Sequence, residues 1–230
     1  MTDENTDAPI APADAAPVAP ASGMTPGWAL WFTGLPGCGK STIARAVRGE
    51  LAARGVAVEY FSMDERRKSY FLHPDYSAEE RARSYTLFAE EAAGLTAAGR
   101  NVILDATAYR LAMRQEARER IARFAEVLVR CPLPEAMRRE AVRSMQAAHG
   151  PQHKGYVMPG MYQKALERRR TGVAVPGLGQ VVGVDVPYEE NPDAECVLDA
   201  LRPVEENARR VLEFLDGWLP GLPPEDEDAA

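Results

Sequence analysis

The segment Gly34-Leu35-Pro36-Gly37-Cys38-Gly39-Lys40-Ser41-Thr42 fits the phosphate-binding pattern G-x-x-x-x-G-K-[ST]. An apolar run at 28–32 precedes it and predicts a buried strand. Ile43, Val47 and Leu51 follow at helical spacing and predict a helix. A strand before and a helix after are the context that this pattern requires, so we interpret the segment as a P-loop rather than a glycine-rich turn that matches by chance.

The residue types in this segment suit a chain of phosphates. Its glycines allow a tight turn in which several backbone N–H groups point at one phosphate chain. Lys40 supplies a positive charge for the β- and γ-phosphates, and the Ser41 hydroxyl can bind Mg²⁺. We therefore predict that residues 34–42 bind a nucleoside triphosphate.

The acidic excess of the chain is concentrated at its two ends. The 230 residues carry 34 acidic and 27 basic side chains. Residues 1–27 and the last ten residues hold eight of the acids and none of the bases, which leaves 26 acids against 27 bases between them. A nucleic-acid-binding surface needs a clustered basic excess, so we predict a small-molecule substrate and no nucleic-acid partner.

The sequence shows neither a signal peptide nor a membrane segment. The N-terminus lacks a basic region followed by an apolar one, and no apolar stretch is long enough to span a membrane. Cys38, Cys131 and Cys196 are scattered, which fits reduced thiols. These features predict a cytoplasmic protein without membrane contact.

Composition divides the chain into three segments. Residues 1–26 and 221–230 are acidic and lack periodicity, which predicts a disordered leader and a disordered tail. Residues 27–220 alternate between strand and helix patterns, which predicts an α/β fold with a parallel sheet covered by helices on both faces. Residues 149–190 lose periodicity and gain Gly and Pro, and we interpret them as a lid over the active site.

The alternation predicts five strands in all, and ligands bind such sheets at the carboxyl ends of the strands. Beyond the P-loop strand, strands are predicted at 56–61, 101–105, 125–130 and 196–198. After the P-loop helix, helices are predicted at 77–99, 110–123, 134–148, 161–170 and from Pro203 onward. The helix at 77–99 begins with a capping box, Ser77-Ala78-Glu79-Glu80.

Three segments together resemble the adenylylsulfate (APS) kinase family. Residues 31–44 are similar to the opening of those enzymes, residues 160–165 (GMYQKA) to the family's G-L-Y-K-K-A, and residues 183–189 (GVDVPYE) to G-I-D-x-P-Y-E. The second and third segments are more specific than the P-loop, and all three occur in family order. The resemblance covers about residues 28–217, with an insertion between about Met145 and Pro159.

This resemblance implies a five-stranded parallel sheet with a lid, often in a homodimer. It also implies transfer of the γ-phosphate of ATP to the 3′-hydroxyl of adenylylsulfate, with ATP and Mg²⁺ as cofactors. Where the family carries D-G-D-N-V-R, this chain has residues 62–67, and Asp64 keeps the second acid. Asp64 would orient or deprotonate the attacking hydroxyl or hold Mg²⁺ through water, and the alternative is an Asp that caps a helix.

The resemblance assigns four further residues to the substrate. Arg67 and Arg81 match arginines that bind the substrate anion, because a guanidinium group can make paired hydrogen bonds to two oxygens. Tyr76 stands where an aromatic ring stacks on the substrate base, and Lys164 matches a lysine of the second segment. The alternatives are surface positions for the arginines and a core position for Tyr76.

The departures from the family lie on the acceptor side. The first acid of D-G-D is Ser62, an asparagine is Ser84, and a phenylalanine of the base-binding site is Val181. The family's F-I-S-P-Y-R is DATAYR at residues 105–110, a run that also looks like other small-molecule and polynucleotide kinases through Asp105 and Thr107. Asp105 would act on Mg²⁺ or on the acceptor hydroxyl, and its alternative is again a helix cap.

Three functional hypotheses follow from these observations. The chain is an adenylylsulfate kinase, a related kinase with another nucleotide-linked or sugar acceptor, or a nucleotide-dependent switch without an acceptor. Lys40, Ser41, Asp64 and Asp105 favour an enzyme, and the acceptor distinguishes the first two hypotheses.

Overall fold

The computed structural model describes residues 25–72, 76–148 and 158–223. Residues 1–24 of the predicted leader, 224–230 of the predicted tail and 149–157 of the predicted insertion lie outside these ranges. The division of the chain into leader, kinase domain and tail therefore stays a prediction.

Five parallel strands form one sheet in the order β2-β3-β1-β4-β5. Their bounds are β1 Ala29–Thr33, β2 Val58–Ser62, β3 Asn101–Asp105, β4 Phe124–Arg130 and β5 Cys196–Asp199. The register places Phe32 of β1 and Ser62 of β2 on either side of Asp105. The carboxyl ends of β1, β2 and β3 therefore meet at one edge of the sheet, and the predicted α/β fold is confirmed.

Seven helices connect and cover these strands in the part of the chain that the structure describes. Their bounds are α1 Lys40–Ala53, α2 Met63–Tyr70, α3 Ala78–Ala97, α4 Leu111–Arg120, α5 Leu133–Ala148, α6 Met161–Thr171 and α7 Val204–Trp218. The predicted capping box is present at α3, where Ser77 Oγ accepts a hydrogen bond from the Glu80 N–H at 3.1 Å. None of the described helices is both long enough and apolar enough to cross a bilayer.

Alternate residues of β1 pack on opposite faces of the sheet. Leu30 and Phe32 belong to a buried cluster shared with α1 and α7, and Ala29 and Trp31 belong to one shared with α3 and α4. The Trp31 indole N–H also donates to the Ala106 carbonyl at 3.1 Å. Both faces are thus covered, as predicted, and the strand that leads into the P-loop is held from both sides.

Helix α2 is the main difference from the predicted elements. Its sequence is almost entirely polar, and Met63 and Arg67 are its buried residues. The sequence has no apolar repeat that would predict this helix, because contacts with α3 and β2 rather than an amphipathic pattern stabilise it. Helix α2 matters for the site because it carries Asp64 and Arg67 directly after β2.

Candidate active site

Two glycines of the P-loop are required by close backbone approaches. A Cβ atom on Gly34 would lie 2.5 Å from the Val129 carbonyl oxygen, and one on Gly37 would lie 2.5 Å from the Ala136 carbonyl oxygen. Both glycines also have positive φ angles, 140° and 83°. Any side chain at either position would displace the loop from β4 or α5, since those neighbours are backbone atoms.

The P-loop ends at the N-terminus of α1. Gly39 precedes the helix in the left-handed conformation, and Lys40 is the first helical residue. Ile43 donates the first i to i−4 hydrogen bond, to the Gly39 carbonyl at 3.1 Å. The N–H groups before it lie at the positive end of the helix dipole, an environment that favours a bound phosphate.

One cavity of about 190 Å³ joins the P-loop to α2, α3, the end of β3 and the segment after α6. The sequence-predicted residues that line it are Pro36, Gly37, Gly39, Lys40, Ser41, Thr42, Asp64, Arg67, Tyr76, Arg81, Asp105 and Thr107. Most residues assigned from separate stretches of sequence therefore converge on one space.

Asp64 lies in the first turn of α2 and opens onto the cavity. The N-cap of α2 is Ser62, so Asp64 does not occupy the capping position that was its alternative interpretation. Asp64 is exposed toward the cavity, but the surrounding protein displaces water from its carboxyl group and thereby raises its pKa, whereas Lys40 and Arg67 act in the opposite direction. The carboxyl group is thus more basic than an ordinary Asp, which suits proton transfer.

Asp105 is buried at the end of β3 and also lines the cavity. Helix α4 begins six residues later at Leu111 with Arg110 as its N-cap, which removes the capping interpretation of Asp105. The Tyr60 hydroxyl donates to Asp105 Oδ2 at 2.7 Å. Asp105 Oδ1 has no hydrogen-bond partner among the described residues, so one carboxylate oxygen is left for a ligand or a metal ion.

Lys40 is electrostatically coupled to both acids. Burial acts to lower the pKa of Lys40, but the acidic groups around it, Asp105 and Asp64 among them, act in the opposite direction, and the net pKa is raised. Lys40 therefore stays protonated at neutral pH, as a lysine that binds phosphate must. Burial raises the pKa of the Cys38 thiol, so Cys38 is a neutral thiol packed behind the loop.

The acceptor side of the cavity carries two arginines and an aromatic ring. The Arg67 guanidinium carbon lies 4.9 Å from the centre of the Tyr76 ring, and its Nη1 lies 3.7 Å from Glu80 Oε1. Arg81 Nη2 donates to the Gln180 carbonyl at 2.6 Å. Burial lowers the pKa of Arg81, so an anion bound beside it would meet a poorly hydrated cation.

Helix α6 and the segment that follows it close one side of the cavity. The buried Tyr162 of α6 donates to the Pro36 carbonyl of the P-loop at 2.8 Å. Arg168 binds Asp185 and the Gly179 carbonyl, at 2.5 and 2.8 Å. These contacts support the interpretation of the described residues 158–190 as a cover over the cavity. The Arg168 side chain bonds to other residues of this cover rather than to the cavity.

Four predicted site residues do not line the cavity. Gly34, Leu35 and Cys38 shape the P-loop from behind, since Cys38 is fully buried and the Cys38 N–H donates to the Leu35 carbonyl at 3.1 Å. Lys164 is exposed on α6, away from the cavity lining. This position gives no support to Lys164 as a phosphate contact, and that role stays a prediction.

Several residues of the lining were not predicted from the sequence. They are Met63, Tyr85, Ala106, Tyr109, Glu140, Arg143, Met158, Met161, Leu178, Gln180 and Val182. Tyr85 is the most informative, because its hydroxyl accepts the Ala108 N–H at 2.8 Å and so ties α3 to the loop after β3. Its position on the same helical face as Arg81, four residues earlier, was the available signal.

The fold and the cavity are those of a P-loop phosphotransferase. The family model described as adenylylsulphate kinase matches residues 26–199. The chain therefore belongs to the adenylylsulfate kinase family, and the resemblance predicted from its three sequence segments is confirmed. Membership makes it an ATP-dependent enzyme that phosphorylates a hydroxyl group of a small molecule.

Individual relatives agree with this assignment. A probable adenylyl-sulfate kinase from Halalkalibacterium halodurans is 34% identical over 190 residues, which cover 81% of this chain and 79% of that protein. A probable bifunctional SAT/APS kinase 2 from Sorangium cellulosum is 30% identical over 84% of this chain, but the chain spans only 30% of that protein. The structure of the Mycobacterium tuberculosis APS kinase CysC in complex with AMPPNP and APS is 25% identical, with a TM-score of 0.66 over 83% of this chain and 98% of that one.

Proposed function

We propose that this protein transfers the γ-phosphate of ATP to the 3′-hydroxyl of adenylylsulfate. The observation that carries the proposal is that one cavity has the P-loop on one side and Arg67, Tyr76 and Arg81 on the other. That arrangement suits a triphosphate facing an acceptor that has both an anionic group and a base. The relatives named above act, by their names, on the same acceptor.

Different residues of the cavity would bind the triphosphate, activate the acceptor hydroxyl and bind the acceptor anion. The P-loop N–H groups and Lys40 would bind the β- and γ-phosphates and stabilise the charge that develops on them. Asp64 or Asp105 would orient the acceptor hydroxyl and take its proton. Arg67 and Arg81 would hold the phosphosulfate group by paired hydrogen bonds.

Mg²⁺ fits the residues of this site. The Ser41 hydroxyl lines the cavity, and Asp105 offers a buried oxygen without a partner among the described residues. Oxygen ligands of this kind, completed by phosphate oxygens and water, are those that Mg²⁺ prefers. The ion would neutralise charge on the phosphates, and Ser41 with Asp105 would hold it.

The test is ADP release from MgATP with and without adenylylsulfate, combined with identification of the product. We expect strong stimulation and a 3′-phosphorylated product, with Lys40→Ala as the inactive control. Acceptor-stimulated ADP release with a sugar or another nucleotide-linked compound, but not with adenylylsulfate, would overturn the choice of acceptor. Absence of stimulation by any acceptor would leave only the nucleotide-dependent switch.

Three wider properties are also proposed. We expect a homodimer, which light scattering at several protein concentrations would detect. We expect the protein in the cytoplasm, which fractionation of cells would test. We expect residues 1–26 and 221–230 to be dispensable for transfer, so that a chain of residues 27–220 retains the turnover of the full chain.

A further inference from the structure

Asp105 is held by a tyrosine from the neighbouring strand. Tyr60 lies on β2, and its hydroxyl donates to Asp105 Oδ2 at 2.7 Å. Asp105 is 5% exposed, and its Oδ1 has no hydrogen-bond partner among the described residues. The hydrogen bond therefore distinguishes two otherwise equivalent oxygens, because it occupies one and leaves the other unpaired.

Tyr60 is itself fixed in place. The guanidinium carbons of Arg45 and Arg48 on α1 lie 5.3 and 6.0 Å from the centre of its ring. Burial and the neighbouring Asp105 raise the pKa of Tyr60, so the phenol keeps its proton at any pH at which the enzyme works. Its hydroxyl is thus a permanent donor to Asp105, held between α1 and β3.

We propose that Tyr60 is a positioning residue for phosphoryl transfer, which fixes Asp105 so that Oδ1 alone serves the reacting groups. This inference rests on the proposed kinase function. Without the Tyr60 hydroxyl, the buried carboxylate would have two unpaired oxygens and could rotate about its side-chain torsion. A rotated Asp105 would still contribute charge near Lys40, but it would no longer hold one oxygen in a fixed place.

The test compares Tyr60→Phe with Tyr70→Phe. Tyr70 makes the same kind of bond, from its hydroxyl to Glu91 Oε2 at 2.6 Å, but its acceptor Glu91 does not line the cavity, whereas Asp105 does. Turnover, the KM for ATP, the equilibrium affinity for ATP and the midpoint of thermal unfolding are measured for both variants. We expect Tyr60→Phe to lower kcat about tenfold or more while ATP affinity changes by less than about twofold. Tyr70→Phe should leave all kinetic values at those of the wild type.

The possible outcomes separate this inference from the proposed function. Wild-type protein that phosphorylates no acceptor would overturn the proposed function before any variant is examined. Active wild-type protein with a Tyr60→Phe variant as fast as Tyr70→Phe would overturn the inference alone. A Tyr60→Phe variant that fails to fold, or that loses ATP affinity as much as turnover, would also overturn it, because the hydroxyl would then have a structural role.

Discussion

Replacing Arg114 by methionine should destabilise the fold and disturb the acceptor side of the cavity. Arg114 Nε lies 3.0 Å from Glu126 Oε1, and both side chains are 1% exposed. The Arg114 guanidinium also donates to the carbonyl oxygens of Ala108 and Glu189. One buried side chain of α4 thus holds β4, the loop after β3 and the segment at 188–191 together.

The magnitude follows from what the substitution leaves behind. Methionine fills most of the volume but leaves the Glu126 carboxylate buried without its counter-ion, with Asn191 as a remaining donor at 3.0 Å. Breaking a buried pair in this way costs about 3–5 kcal/mol. At about 2–4 °C for each kcal/mol in a domain of this size, the unfolding midpoint should fall by roughly 10 °C.

The assay is thermal and urea unfolding of Arg114→Met beside two comparisons. Arg118 lies one turn after Arg114 on α4 and forms a partly exposed ion pair with Glu195. Arg118→Met breaks this pair and should lower the free energy of unfolding by about 1 kcal/mol or less. The double variant Arg114→Met with Glu126→Leu removes both charges and should recover part of the lost stability. If Arg114→Met is no less stable than Arg118→Met, the buried ion pair does not hold these elements together and the reasoning is refuted.

Four further predictions concern Lys40, Asp64 and the cysteines. Lys40→Ala should abolish ADP release, because it removes the cation that the P-loop itself presents to the β- and γ-phosphates. Asp64→Asn should lower kcat far more than ATP affinity; wild-type turnover would exclude its catalytic role. Desolvation raises the pKa of Asp64 in the folded protein, so ionisation of this group destabilises the folded state at pH values above its pKa in the unfolded chain. Asp64→Asn should therefore unfold at a higher temperature than the wild type at pH 7. The difference should vanish below about pH 4, where Asp64 is protonated in both states. Iodoacetamide at neutral pH should modify the half-buried Cys131 before the buried Cys38 and spare ATP binding; early loss of ATP binding with Cys38 labelled would contradict this.

The sequence predicted those parts of the fold that have a local signal. Strand β3 has the predicted bounds, 101–105, because it is a short apolar run between polar neighbours. The capping box at Ser77 is present because its hydrogen bond joins residues three apart. Helix α2 was missed because its stability comes from distant contacts that leave no periodic pattern in its own residues.

The same distinction holds for the site. The P-loop is contiguous in sequence, so its chemistry is visible at once. The bond from Tyr60 to Asp105 joins residues 45 apart, and the bond between Tyr85 and Ala108 joins residues 23 apart. Contacts of that kind depend on strand order and register, which a single sequence does not determine. Lys164 shows the converse, since a family motif predicted a contact that its exposed position on α6 does not support.

The acceptor side departs from the family pattern at Val181. Val181, where the family has a phenylalanine, is buried among Tyr162, Ala165 and Leu178 and donates its N–H to Asp185 Oδ2 at 2.6 Å, as part of the core of the cover. A stacking face for the base is thereby replaced by packing within the cover. Base stacking on an aromatic ring contributes about 1–3 kcal/mol, so recognition here should depend more on the charged end of the acceptor than on its base. We therefore propose that the arginines near Tyr76, Arg67 and Arg81, are the main determinants of which acceptor this enzyme takes.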